Sequence, residues 1–323
     1  MLANTKYRNT MIKIPKTDLL VHPLCLGANV FGWSADEKES NAVLDAYKSH
    51  GGNFIDTADA YSQWKPGNQG GESETLIGHW LKKQNRQKFV IATKVALLNT
   101  RPGLTAANIL AACDDSLRRL QTDYIDIYYS HRDDAKTPME ETLGAYAKLI
   151  KAGKVRHIAA SQHSGARLKE ALSISAKHAL PFYIALQDQY NLVHREPFES
   201  EQAPVLAAND LSAFPFYGLA RGFLSGKYRP GLKIDSVRAD GVAEFYSDQN
   251  WKIIEALRDI AQARSAPVSA IALAWLRSHP QVCAPIASAR TPTQLEEIVQ
   301  IFELSAAEMT RLNMLSPPQK SLT

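Results

Sequence analysis

Short apolar segments alternate with amphipathic segments along most of this chain, and this alternation restricts the folds available to it. Eight apolar segments predict strands, because several are rich in β-branched and aromatic residues and lack polar alternation, as strands buried on both faces do. The predicted strands are Val21–Gly27, Asn53–Thr57, Phe89–Val95, Tyr124–Ser130, Val155–Ser161, Phe182–Gln187, Leu211–Phe216 and Val282–Ile286.

The segments between these strands carry apolar residues at helical spacing. Thr105 and Thr137 precede two of the helices and are predicted to be their N-caps. The predicted helices are Ser40–His50, Glu72–Lys83, Ala106–Leu120, Pro138–Ala152, Gly165–His178, Ser269–Ser278 and Thr293–Phe302.

Strands that alternate with helices over short links predict parallel strands joined by crossovers. An open doubly wound sheet and a closed barrel both meet this pattern, and the count of eight favours a (β/α)8 TIM barrel of the α/β class. Residues 8–20 predict an N-terminal β-hairpin, and residues 217–267 predict a long insertion after strand 7 that includes a helix at Asp248–Arg264. We expect residues 1–323 to form a single domain.

Composition excludes several classes of protein. The net charge is +4 and no run of basic residues occurs, so a nucleic-acid partner is not expected. Cys25, Cys113 and Cys283 are far apart and form no C-x-x-C pair, which argues against a disulfide framework and favours a reducing cytosol. The sequence has no apolar run long enough for a membrane span and no apolar core of a signal peptide, so a cytoplasmic location is expected.

Polar residues follow three consecutive predicted strands. In FIDTADAY, residues 54–61, Asp56 ends one strand and Tyr61 follows five positions later; Lys94 ends the next strand, and His131 ends the one after. In a barrel the carboxyl ends of the strands form the reactive face. Each of these residues alone is more often structural, but a carboxylate, an ammonium group, an imidazole and a phenol at one rim indicate catalysis.

The chemistry of these groups indicates carbonyl reduction. A buried Asp56–Lys94 pair would satisfy both charges, which are seldom buried unpaired. Free tyrosine has a pKa of about 10, and the Lys94 cation is expected to lower the pKa of Tyr61. His131 would donate a hydrogen bond to a carbonyl oxygen, and Tyr61 would give that oxygen its proton while hydride reaches the carbon.

The order of these four residues and the text around them resemble the aldo-keto reductases. The similar stretches are NFIDTADAY, GGESETLIG, VIATKV and LRRLQTDYIDIYYSH, and the resemblance runs from about Leu24 to about Val299. It implies that Asp56, Tyr61, Lys94 and His131 are the catalytic tetrad of an NAD(P)H-dependent enzyme that reduces aldehydes or ketones to alcohols.

The resemblance also implies where a nicotinamide cofactor binds. A Rossmann site is not supported, because the sequence contains no G-x-G-x-x-G motif. Phe216 would stack on the nicotinamide, the following loop would wrap the pyrophosphate, and Arg290 with its neighbours would hold a 2′-phosphate, so NADPH is expected in preference to NADH. The implied contacts are Gly27, Ala28, Asp56, Ser161, Gln162, Gln187, Phe216, Tyr217, Gly218, Leu219, Arg221, Gly222, Lys227, Ile286, Ser288, Arg290, Gln294 and Glu297.

Four positions depart from the usual pattern of the family: Gln162, Phe216, Gly218 and Ile298 stand where Asn, Tyr, Pro and Asn are common. These departures leave the tetrad unchanged, but they affect the expected carboxamide and adenine contacts.

Loops near the tetrad predict a substrate pocket for an apolar or aromatic carbonyl compound. Its predicted walls are Trp33, Tyr61, Trp64, His131 and Arg132. Packing within the loops explains Trp33, Trp64 and Arg132 equally well. Two other functions stay open: a cofactor-binding regulatory or redox-sensing subunit with little turnover, and a barrel of another reaction class. No metal site is predicted, because the histidines have no recognised ligand spacing.

Overall fold

A computed structural model describes residues 11–231 and 239–318. The chain begins there with an antiparallel hairpin of β1 (Ile12–Lys13) and β2 (Leu20–Val21). The predicted hairpin is confirmed over the described residues, and residues 8–10 of its predicted range lie outside them.

Eight parallel strands form the central sheet of the described chain, in the spatial order β10-β3-β4-β5-β6-β7-β8-β9. In this order each of the strands from β4 to β9 lies beside the strand that precedes it in the chain, and β10 lies beside β3, which confirms the (β/α)8 barrel class. The strands are β3 (Cys25–Gly27), β4 (Phe54–Asp56), β5 (Val90–Val95), β6 (Ile125–Ser130), β7 (Val155–Ser161), β8 (Tyr183–Gln187), β9 (Ser212–Ala213) and β10 (Ile286–Ala287).

The sheet closes on itself through a short seam between β9 and the segment that leads into β10. The backbone N–H of Ala213 donates to the Gln281 carbonyl at 2.7 Å, and the N–H of Cys283 donates to the Ala213 carbonyl at 3.1 Å. The N–H of Ile286 donates to the Pro215 carbonyl at 2.8 Å. These bonds complete the barrel with little regular strand on either side.

Three predicted strands differ from the observed ones by more than one residue at an end. The segment Val21–Gly27 is divided, because Pro23 has no N–H to donate and the His22 N–H donates to the Asn53 side chain at 2.9 Å instead. Val21 therefore belongs to the hairpin. The segment Leu211–Phe216 keeps only β9, and its Pro215 likewise lacks a donor. In the eighth segment only Ile286 falls within a strand.

Helices surround the barrel, and each predicted helix is observed within a few residues of its predicted bounds. Thr105 caps its helix as predicted, by accepting from the Asn108 N–H at 3.3 Å. The predicted cap Thr137 is wrong: Pro138 is the N-cap, and the Thr137 hydroxyl donates to Asp134 at 2.8 Å. The helices are α1 (Glu37–Ser49), α2 (Glu72–Leu81), α3 (Ala106–Leu120), α4 (Met139–Lys151), α5 (Gly165–His178), α6 (Ala203–Ala208), α7 (Ala239–Val242), α8 (Asp248–Arg264), α9 (Val268–Arg277), α10 (Pro292–Ile298) and α11 (Ala306–Leu315).

The insertion after β9 contains the predicted helix Asp248–Arg264 with the predicted bounds. Helices α6, α7 and α11 were not predicted. Ser305 and Glu308 form a capping box at the start of α11. Among the described residues, no helix has both the length and the apolar character that crossing a membrane requires.

Two apolar layers hold the barrel. Within β4 the Phe54 side chain belongs to the cluster inside the barrel, whereas Ile55 belongs to the cluster between the strands and the helices. Successive residues of a strand point to opposite faces. The interior cluster includes Cys25, Phe54, Val90, Ala92, Ile127, Tyr129, Ile184 and Phe214.

Candidate active site

Strand alternation brings three of the predicted catalytic residues to the inside of one rim. Asp56 shares the interior face of β4 with Phe54, and Lys94 shares that of β5 with Ala92. His131 directly follows β6, whose last strand residue is Ser130. The sheet therefore aims a carboxylate and an ammonium group at a common point near the carboxyl ends of the strands.

The ammonium group of Lys94 joins the acid to the phenol. Lys94 Nζ lies 2.6 Å from Asp56 Oδ2, 2.8 Å from the Tyr61 hydroxyl and 2.8 Å from the Thr57 carbonyl oxygen. The Tyr61 hydroxyl lies 3.2 Å from Asp56 Oδ2, and Gln187 Nε2 donates to Asp56 Oδ1 at 2.9 Å. Each Asp56 oxygen and each proton of the ammonium group thus has a partner.

These charged groups are removed from solvent. Lys94 is 0% exposed and Asp56 is 1% exposed. Burial lowers the pKa of Lys94, and the Asp56 carboxylate opposes that shift. A buried ion pair persists only with good geometry and further hydrogen bonds, and the Gln187 amide and the Thr57 carbonyl supply those bonds here.

The expected direction of the Tyr61 pKa shift is wrong. Burial raises the pKa of the Tyr61 phenol well above its usual value, and the Asp56 carboxylate adds to the increase. The Lys94 cation does not outweigh these effects, because it is already paired with Asp56. Tyr61 is therefore neutral and protonated at neutral pH, the state required of a proton donor.

The imidazole of His131 is held neutral. Burial lowers its pKa well below the usual value, and the nearby cations Lys94 and Arg132 lower it further. Its ring meets the Tyr61 ring edge to face, with centroids 5.9 Å apart, and its Nδ1 atom has no hydrogen-bond partner among the described residues. A neutral imidazole has one N–H donor and one acceptor nitrogen.

A cavity of about 770 Å³ opens beside Tyr61 and His131. Most of the residues proposed from the sequence to contact cofactor or substrate line it. Those residues are Gly27, Tyr61, Trp64, His131, Arg132, Ser161, Gln162, Gln187, Phe216, Tyr217, Gly218, Leu219, Arg221, Gly222, Lys227, Ile286, Ser288, Arg290, Gln294 and Glu297, together with Ile298.

Four proposed site residues do not line this cavity. Asp56 and Lys94 lie behind Tyr61, and Ala28 is buried, with its N–H donated to the Asp56 carbonyl at 2.8 Å. Trp33 packs edge-on against Trp64, with ring centroids 5.7 Å apart, so it supports the wall. Ala28 and Asp56, which were predicted as cofactor contacts, and Trp33, which was predicted as a pocket wall, therefore lie outside the cavity lining.

Ten lining residues were not anticipated, and several lie next to predicted ones. Gln63 follows Tyr61 by two positions, and Gln189 follows Gln187 by two, so closeness in sequence to a predicted site residue was the available signal. Asn29 accepts a hydrogen bond from the Ser288 hydroxyl at 2.6 Å. The ten are Asn29, Val30, Ala60, Gln63, Leu97, Gln189, Ser225, Gly226, Ser269 and Ala287.

The cavity has the features of a dinucleotide site. The Ser161 hydroxyl lines it, is buried and has no partner among the described residues, so an amide could bind there. Gly222 has a φ of +105°, and a Cβ added there would meet only the end of the Lys227 side chain, at 3.9 Å or beyond, so its backbone is open to a ligand. Arg221, Lys227 and Arg290 add positive charge for phosphates.

Comparison with known proteins shows what the chain is similar to. The model of the Aldo/keto reductase family matches residues 23–316. "Protein tas" of Escherichia coli K12 is 33% identical to the chain, over 92% of the chain and 94% of that protein. "L-glyceraldehyde 3-phosphate reductase" of the same organism is 30% identical over 88% and 85%, and "Probable voltage-gated potassium channel subunit beta" of Arabidopsis thaliana is 30% identical over 93% and 92%.

Proposed function

The chain belongs to the aldo/keto reductase family, and from that premise we propose that it is an NADPH-dependent oxidoreductase that reduces aldehydes or ketones to alcohols. The observation that carries the proposal is the contact of Lys94 Nζ with both Asp56 and the Tyr61 hydroxyl, at 2.6 and 2.8 Å, beside the cavity. We call Asp56, Tyr61, Lys94 and His131 the catalytic rim, and residues 217–227 the cofactor loop.

The substrate carbonyl oxygen would lie within reach of both Tyr61 and His131. Neutral His131 orients that oxygen through its N–H, without giving up a proton. A bound nicotinamide cofactor supplies hydride to the carbonyl carbon. The Tyr61 O–H bond breaks as its proton moves to the oxygen, which completes the alcohol, and Lys94 then stabilises the phenolate.

Preference for NADPH rests on Arg290. Its guanidinium lines the cavity, and its backbone N–H donates to the Gln294 side chain at 3.0 Å, which ties the segment after β10 to the start of α10. A guanidinium matches the oxygens of a 2′-phosphate and gains nothing comparable from a 2′-hydroxyl. Phe216 would pack on the nicotinamide, since it lines the same cavity.

The test is the loss of absorbance at 340 nm when the purified protein is given NADPH and an aldehyde such as 4-nitrobenzaldehyde. We expect turnover with NADPH and a lower kcat/KM with NADH. Normal NADPH binding without oxidation by any member of a panel of aldehydes and ketones would contradict the proposal.

A second candidate function is favoured by the similarity to the potassium channel β-subunit sequence. In this case the chain would bind cofactor tightly, turn over slowly and act as a partner of another protein. Retention of nicotinamide dinucleotide through purification, with turnover too slow to deplete it in minutes, would favour this candidate. Rapid multiple turnover would exclude it.

A further inference from the structure

Arg132 places a positive charge on the wall of the cavity, directly after His131 in the sequence. Its side chain lines the cavity and is exposed at its mouth. Among residues 11–231 and 239–318, no carboxylate lies within ion-pair distance of this guanidinium, whereas Arg167 and other arginines have such partners. An arginine that is merely part of a solvated surface would not need to face the reaction site.

The two acids that follow Arg132 are already engaged. Asp133 accepts two hydrogen bonds from Arg167 Nε, at 3.0 and 2.9 Å, and one from Arg167 Nη2 at 2.9 Å. Asp134 accepts from the Leu104 N–H at 2.9 Å and from the Thr137 hydroxyl at 2.8 Å. These contacts hold the loop in place and leave Arg132 without an internal counter-ion.

The protein contact of the Arg132 head group is weak. Its Nη2 donates to Gln162 Oε1 at 3.4 Å, near the upper limit for a hydrogen bond. The Gln162 amide is fixed from the other side, because its Nε2 donates to the His131 carbonyl at 3.0 Å. Guanidinium has five N–H donors, so most of them are available to a ligand.

The remaining walls near Tyr61 carry no charge. Gln63 is tied to the loop after β5, since its Nε2 donates to the Leu97 carbonyl at 3.0 Å and its Oε1 accepts from the Asn99 N–H at 2.9 Å. Trp64 meets the Tyr61 ring edge to face, with centroids 6.2 Å apart. The other cavity-lining cations, Arg221, Lys227 and Arg290, follow β9 and β10 and belong to the proposed cofactor side.

We propose that Arg132 binds an oxyanion group of the substrate, a carboxylate or a phosphate, while the carbonyl oxygen of the same molecule contacts Tyr61 and His131. The proposal rests on the proposed reductase function and assigns a substrate class to it: aldehydes or ketones with an anionic substituent. The planar guanidinium matches both kinds of oxyanion through paired hydrogen bonds. Binding energy gained there orients the carbonyl for reduction.

The experiment compares matched aldehydes that differ in charge. The first arm uses 4-formylbenzoate and its methyl ester, and the second uses 4-formylphenyl phosphate and 4-methoxybenzaldehyde. In each arm the ratio of kcat/KM for the anion to that for the neutral aldehyde is measured. We expect ratios above one in wild type, falling about ten- to a hundredfold in Arg132→Gln, the loss expected for one charge-assisted pair. The arm with the larger loss identifies the oxyanion.

Lys136→Gln is the matched control, because Lys136 is an exposed cation of the same loop that does not line the cavity. This substitution removes one positive charge, as Arg132→Gln does. Its ratios should equal those of wild type. If both kinds of aldehyde are reduced but Arg132→Gln leaves both ratios unchanged, or if Lys136→Gln lowers them equally, the proposal is wrong and the reductase function stands. If no aldehyde is reduced, both proposals are wrong.

Discussion

The catalytic rim and the cofactor loop lie beside the same cavity, but they are built in opposite ways. The rim is set on strands β4 and β5, and the Asp56 and Lys94 side chains are buried and fully partnered. The loop has irregular backbone: Tyr217, Ala220 and Arg221 have φ values of 52°, 46° and 56°. Left-handed backbone is costly for residues with a side chain, so the loop stores strain where the rim has none.

This difference separates two tasks. Proton transfer needs a fixed distance between donor and acceptor, and Asp56 and Lys94 on the sheet hold the Tyr61 hydroxyl in place. Holding a long, flexible anion needs backbone N–H groups and cations, and the loop contains Arg221 and Lys227 beside its open backbone at Gly222. Changes in the rim should therefore affect the chemical step and stability, whereas changes in the loop should affect cofactor affinity.

The largest effect is expected from Tyr61→Phe, which removes the proposed proton donor. We expect kcat to fall about 100- to 10,000-fold, the usual contribution of a general acid, while the Kd for NADPH stays near the wild-type value. The measurement is NADPH oxidation with 4-nitrobenzaldehyde, together with a fluorescence titration of NADPH.

The control for this variant is Tyr128→Phe, which also removes a buried tyrosine hydroxyl, but on the face of β6 that packs against helices. A Tyr61→Phe enzyme that keeps more than about a tenth of the wild-type kcat would remove Tyr61 from the mechanism, because general acids contribute more than that.

The next effect concerns stability. Asp56→Asn leaves the Lys94 ammonium buried without a counter-charge, which should lower the free energy of unfolding by about 3–5 kcal/mol. Urea unfolding followed by tryptophan fluorescence measures it. Asp114→Asn, which breaks the exposed pair with Lys154, should cost about 1 kcal/mol or less. Equal losses of unfolding free energy in the two variants would show that the buried Asp56–Lys94 pair matters no more for stability than an exposed pair.

A smaller effect is expected from the cofactor loop. Arg221→Gln and Lys227→Gln should each raise the Kd for NADPH about tenfold, since each removes one cation from the phosphates. Arg229→Gln is the control, because Arg229 is an exposed cation close in sequence that does not line the cavity. Unchanged affinity in both loop variants would place the pyrophosphate elsewhere.

The smallest effect is expected from pH. The raised pKa of Tyr61 keeps the phenol protonated, and the lowered pKa of His131 keeps the imidazole neutral, so neither changes charge near neutrality. The kcat/KM for a neutral aldehyde should therefore vary little between about pH 6 and 8, around the ordinary histidine pKa. A step with a midpoint near 6.5 would contradict this expectation.

The sequence predicted the rim better than the loop for a physical reason. Alternation along buried strands places Asp56 and Lys94 from local pattern alone. The sign of the Tyr61 pKa shift was not predictable, because it depends on how completely the phenol is buried and on Lys94 already being paired. The backbone of Arg221 and the displacement of Trp33 behind Trp64 depend on tertiary contacts that no local pattern records.

Element boundaries show the same limit. Strands that pair with neighbours along most of their length were predicted closely, as in Val155–Ser161. Near the seam, Pro215 interrupts pairing and β9 shrinks to two residues. Arg132 was predicted to contact substrate, but its lack of a counter-ion became visible only when Arg167 was seen to engage Asp133.

The seam between β9 and the segment before β10 also determines where the barrel should first come apart. Its few cross-strand hydrogen bonds make the amide protons of Ala213, Cys283 and Ile286 the candidates for the fastest deuterium uptake among the barrel strands. The cavity has walls on both flanks of this junction, at Phe216 and at Ser288. A ligand that contacts both walls would hold the two sides of this junction together. The least stable part of the barrel would therefore be stabilised only when a ligand is bound.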